Sequence, residues 1–155
     1  MKVAIVHDWL TGMRGGERCL EAFCELFPDA DLYTLLHIKG TVSPTIERHR
    51  ITTSFVQSFP LAARYYRYYL PVFPFAIERF RLPSYDLVLS SSHCVAKGIR
   101  PPAGGKHLCY IHSPMRYVWD QFDNYARGGR SGVVARLGME LFRKRLQAWD
   151  VASAA

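Results

Sequence analysis

The chain has 155 residues, of which 49% are hydrophobic, 14% aromatic and 21% charged. That balance excludes a disordered, collagen-like or coiled-coil chain, and the length suits one domain that buries its own core without a disulfide or metal staple. The net charge of +7 is uneven: basic and acidic side chains number 6 and 7 over residues 1–50, but 14 and 6 over residues 51–155. The surplus points to an anionic partner, whether nucleic acid, a membrane surface or a phosphorylated ligand. The four cysteines, Cys19, Cys24, Cys94 and Cys109, form no CxxC and no zinc-finger spacing. Three lie in apolar runs, so they read as reduced core thiols of a cytosolic protein. The N-terminal apolar run is four residues long before His7 and Asp8, too short for a signal peptide. The longest charge-free run, Ile51 to Ala63, is too short and too polar to span a membrane.

In chain order, Val3-Ala4-Ile5-Val6 reads as a fully buried strand of a parallel sheet. A polar, glycine-bearing loop from Asp8 to Gly16 leads into a helix whose stripe is Leu20, Phe23, Cys24 and Phe27, closed by Pro28-Asp29. Asp31 to Leu36 is the second strand, and the three elements make a right-handed βαβ unit. Ile51 to Val56 suits a third strand. From Pro60 to Pro83 seven aromatics interleave with four arginines, and Pro71 and Pro74 divide the stretch into two short helices. Asp86 to Ser90 and His107 to Ile111 are further strands, ending in Ser90-Ser91-Ser92-His93 and His112-Ser113-Pro114. A last helix runs from about Val133 to Trp149, with Val134, Leu137, Leu141 and Trp149 as its apolar face and Arg136, Arg143 and Lys144 toward solvent. Strands alternating with helices predict an α/β fold: a Rossmann-like open, mostly parallel sheet with helices on both faces, in a single domain over 1–155.

Ligands in such sheets bind beyond the carboxyl ends of the strands. The rule selects Asp8 to Gly16, Ser90 to His93 and His112 to Tyr117. Gly15 and Gly16, just before a helix, let backbone N–H groups approach a diphosphate with the helix dipole behind them; a tight turn capped by Gly16 explains the same residues. The segment is neither GxGxxG nor a P-loop. Pro114 biases Ser113 to extended geometry and holds His112 at a strand tip, where it can bond a sugar hydroxyl or simply a neighbouring carbonyl. No GxSxG or HExxH occurs, Asp120 and Asp123 read as a solvated helix face, and Cys94 beside His93 is a weak nucleophile–base pair because sequence neighbours point apart. The aromatic–arginine stretch reads first as packed helices with exposed arginines, then as a membrane-surface contact. Nucleic-acid binding is set aside, since the arginines interleave with core residues and no reader motif appears.

Four segments, KVAIVHDWLTGMRGGER, LFPDADLYTLL, YDLVLSSSHCVAKGIRPP and LCYIHSPMRYVWD, spread over residues 2–120. Together they resemble the N-terminal domain of GT-B glycosyltransferases of family 4, the group 1 transferases, and in particular the bacterial mannosyltransferase-like members. The resemblance implies a retaining, metal-independent transfer of a sugar such as mannose from a nucleotide-diphosphate sugar to a glycan or polyprenyl-linked acceptor, with no cofactor. It assigns His112 to the transferred sugar, Gly15 and Gly16 to the donor diphosphate, and Asp8, Arg14, Ser91 and His93 to the acceptor side. It implies a cytoplasmic protein with peripheral contact at the inner face of the membrane. The family's second, nucleotide-sugar domain is not in these 155 residues, so the chain alone is expected to have little transferase activity. The alternative is a non-catalytic acceptor- or partner-binding module.

Overall fold

The computed structural model describes residues 1–119 and 133–154. Five strands among them form one parallel sheet: β1 (Val3–His7), β2 (Asp31–Thr34), β3 (Ile51–Thr53), β4 (Leu87–Ser92) and β5 (Lys106–Ile111), in the order β3-β2-β1-β4-β5. This is a Rossmann-like α/β sheet. All five residues of β1 are buried, as a central strand with both faces covered requires.

The two faces carry separate cores because side chains alternate along each strand. Val3 and Ile5 face helix α1 (Gly15–Leu26), packing with Leu20 and Cys24; Ile46 of the short helix α2 (Pro44–Glu47) joins them. Ala4, Val6 and Val88 face the other way, toward α3 (Ala62–Tyr65), α4 (Phe73–Glu78) and the end of α6 (Val133–Ala152). A further short helix, α5 (Arg116–Trp119), precedes α6. Buried Lys97 and Asp150 pair across this second face, and the Trp119 indole N–H donates to the same carboxylate at 2.9 Å.

Several boundaries differ from the sequence reading. Helix α1 begins at Gly15, with Arg14 rather than Gly16 at its N-cap. Strand β2 ends at Thr34 and β3 at Thr53, though Leu35, Leu36 and Val56 remain buried. Between α3 and α4 the chain forms a 3₁₀ helix over Tyr66–Val72 that contains Pro71, and Pro74 opens α4 instead of breaking it. Strand β4 runs two residues beyond the expected end at Ser90, to Ser92. Among the described side chains of α6, Leu141 is 72% exposed, and Leu146, Trp149 and Asp150 turn inward. Arg143 turns inward to donate to the Val118 and Trp119 carbonyls. Asp120, Asp123 and the side chains of Val134, Arg136 and Leu137 lie outside what is described. No helix among the described residues is long and apolar enough to cross a membrane.

Candidate functional site

The strand order reverses between β1 and β4: β2 and β3 lie beyond one, β5 beyond the other. At such a switch point loops diverge and leave a crevice at the carboxyl ends. Register then selects its residues. His7 pairs with Ser91, and Ser91 with Tyr110, so all three lie on the face of the sheet that Ile5 shares. Tyr110 touches Phe23 of α1, and His112, two residues on, falls on that face as well. The N-terminus of α1 covers these side chains. A Cβ built on Gly16 would lie 3.5 Å from His7 Cε1, 3.8 Å from His93 Nδ1 and 3.9 Å from His112 Nε2.

The result is a cleft of about 360 Å³ lined by Trp9, Arg14, Gly15, Gly16, Glu17, His93 and His112. Gly15 and Gly16 enter it from the helix end, where Arg18 N–H to the Arg14 carbonyl is the first turn's hydrogen bond, so the preceding N–H groups of the two glycines lie ahead of the ladder. Glu17 receives the Arg14 N–H at 3.0 Å, which closes the cap and fixes the turn. Trp9 is buried against Tyr66 and Phe73 and presents its ring edge-on to His93 at 4.5 Å between centroids. A larger groove between α4 and α6 is mainly apolar, and its one acid, Glu78, is already bonded to Trp149 and Arg100.

Five of the sequence-selected residues, Arg14, Gly15, Gly16, His93 and His112, therefore meet at one cleft. Two are corrected. Asp8 sits at the tip of β1 but is fully buried, and its carboxylate faces the loop after β4. Its Oδ2 accepts the backbone N–H of His93 and Cys94 at 2.7 and 3.0 Å, and its Oδ1 those of Val95 and Ala96 at 2.6 and 2.8 Å. Buried among these four backbone donors and His93, whose Nδ1 lies 3.1 Å from Oδ2, it holds the loop and is not presented to an acceptor molecule. Ser91 is also fully buried, because β4 extends through it, and its Oγ lies between His7 Nδ1 (3.2 Å) and His112 Nε2 (2.9 Å).

The electrostatics follow from burial and crowding. Burial pushes the His93 imidazole below its ordinary value, against the pull of Asp8. His112 is lowered by burial and by the like charges of His7 and His93. Both are neutral at pH 7, able to accept one hydrogen bond and donate another. Burial alone would raise Asp8, but His93, His7 and backbone N–H groups outweigh it and hold the carboxyl low. Glu17 is low for the same reason, burial being outweighed by His7 and backbone N–H groups. Cys94 is buried with its thiol raised well above the usual value, so the His93–Cys94 pair is chemically inert. The four cysteines are free. Among the described residues no group of three His, Cys, Asp or Glu is placed to hold a metal ion.

Sequence reasoning missed His7, Trp9 and Glu17. The Arg14–Glu17 spacing of a capping box was the available signal for Glu17; His7 depends on a register with a strand 84 residues away. Comparison with protein-family models, curated proteins and solved structures returned no match.

Proposed function

We propose that the chain is the acceptor-side half of a retaining glycosyltransferase of family 4, working on a nucleotide-diphosphate sugar and a glycan or polyprenyl-linked acceptor. The observation that carries the reading is the meeting of the Gly15-Gly16 helix terminus with the His93 and His112 imidazoles across one cleft at the topological switch. In this reaction the anomeric C–O bond breaks with its electron pair leaving on the diphosphate, the acceptor hydroxyl oxygen bonds to the same face of the sugar, and the hydroxyl proton passes to the departing diphosphate oxygen. Stabilising the departing charge is the main demand. The Gly15 and Gly16 N–H groups suit that task, and Arg14 suits the acceptor side. His112 and His93 suit hydroxyl groups, one on the transferred sugar and one on the acceptor side. Exposed Tyr68, Phe75 and Leu61, with Arg64 and Arg79 stacked on Tyr65 and Phe75, suit a lipid-linked acceptor at the inner membrane face.

The test is His112→Ala with GDP-mannose as donor probe, a polyprenyl-diphosphate-linked sugar as acceptor, and a donor-side half supplied. Turnover falls roughly a hundredfold, as for loss of one preorganised polar contact. Melting falls by only about 4 °C, the loss of one partly buried hydrogen bond. A large melting change with normal turnover by the folded fraction would make His112 structural and remove the proposal.

A further inference from the structure

Glu17, His7, Ser91 and His112 stand in a row from the first turn of α1 to the cleft, and each link has a polarity. Glu17 Oε2 is occupied by the Arg14 N–H, and Oε1 lies 3.8 Å from His7 Nε2. His7 is fully buried and its Nε2 has no hydrogen-bond partner, so the carboxylate alone decides what that nitrogen carries. A lone pair there would face an anion at close range; an N–H is attracted to it. The proton therefore sits on Nε2, and Nδ1, 3.2 Å from Ser91 Oγ, is an acceptor. Ser91 has one proton and gives it to His7. Toward His112 Nε2, at 2.9 Å, the same oxygen accepts, so His112 carries its proton on Nε2. His112 Nδ1 bonds to no described residue and is not enclosed.

We infer that Glu17 and His7 are positioning residues that act through Ser91 to hold His112 as the Nε2–H tautomer, presenting Nδ1 as a hydrogen-bond acceptor to a hydroxyl of the saccharide ligand. The identity of that ligand rests on the proposed function; the tautomer rests on the chain's own geometry. The row also assigns a reason for burying a carboxylate and an imidazole together beneath a glycine: they set the direction of one hydrogen bond in the cleft above them.

The test is long-range proton–nitrogen correlation NMR on the ¹⁵N-histidine-labelled 155-residue chain at pH 8 without ligand. His112 is expected as Nε2–H in roughly tenfold excess, the worth of one buried hydrogen bond. Glu17→Gln keeps the cap, because the Gln carbonyl still receives the Arg14 N–H, and turns its NH₂ toward His7 Nε2. The row then reverses, and His112 is expected as Nδ1–H in similar excess. An Nδ1–H majority in the wild type, or no change at His112 in Glu17→Gln, overturns the inference. Ser91→Ala cuts the row and covers the case in which Glu17→Gln does not fold. It is expected to leave His112 a mixture of tautomers, and an unchanged Nε2–H excess overturns the inference. Absence of saccharide binding would remove the ligand and leave this measurement standing; a reversed tautomer would do the opposite.

Discussion

Replacing Gly16 by alanine separates the fold from the cleft with a single methyl group. Gly16 sits in the first turn of α1, outside the left-handed region, so alanine meets no backbone strain there. Its Cβ would lie 3.5 to 3.9 Å from three imidazoles, ordinary van der Waals contact, so nothing has to move. Alanine also lowers the entropy of the unfolded chain, a gain of about 0.4–1 kcal/mol where the native conformation is compatible. Stability is thus expected to be unchanged or raised by up to about 4 °C. The methyl nevertheless fills the floor of the cleft, between the helix terminus and His93 and His112. A diphosphate or hydroxyl seated there must rise by about 1 Å, and a misplacement of that size costs on the order of 10²-fold in turnover. Gly15→Ala is the control for folding alone, since a Cβ at Gly15 meets nothing within 4 Å. The assay pairs melting with sugar transfer from GDP-mannose, the donor-side half supplied. A Gly16→Ala protein destabilised by more than about 2 kcal/mol would show that the space is not there. A stable one with wild-type turnover would show that the cleft is not used.

Two further predictions concern the supports of the site. Asp8→Asn keeps the shape but turns one of the two oxygens into a donor, stranding two of the four backbone N–H groups; unsatisfied buried groups cost about 1–3 kcal/mol each, so about 2–6 kcal/mol is lost at pH 7 in urea melts. Because the folded-state carboxyl is held below its ordinary value, its contribution is present above the ordinary carboxylate range and fades as pH falls through the folded value. The gap between wild type and variant therefore narrows in acid, and equal stability at pH 7 would contradict the cage. Asp150→Ala leaves the Lys97 ammonium buried without its partner, costing about 3–5 kcal/mol, whereas Lys97→Met with Asp150→Leu recovers most of that loss; a double variant no better than the single one would contradict it.

The sheet was legible where burial leaves a simple mark. Strand β1 and the start of β4 are unbroken apolar runs because both faces are covered, and α1 shows its stripe because one side packs on Ile5 while the other meets water. Legibility failed where polar side chains are buried by one another. Ser91 and Ser92 read as loop, yet they finish β4, since Ser91 is satisfied by two imidazoles from residues 84 and 21 positions away. Asp8 read as a ligand contact, and only the fold shows that the loop after β4 saturates it. Leu141 read as core on helical periodicity, but it is exposed, and among the described side chains of α6 the core is met by Leu146 and Trp149. In each case contacts distant in sequence overrode a local pattern.

The convergence of three histidines beneath a glycine pair makes the central claim measurable in one titration. The chain has six histidines: His7, His93 and His112 surround the cleft, while His37 pairs with Glu47, His49 bonds the Ala30 carbonyl and His107 bonds Ser90. With the imidazole nitrogens labelled, addition of GDP-mannose and of a polyprenyl-diphosphate-linked sugar is predicted to shift His93 and His112, to move His7 through Ser91, and to leave His37 and His49 in place. Shifts confined to His37 and His49, or none at saturating ligand, would contradict a saccharide-handling cleft at this switch point.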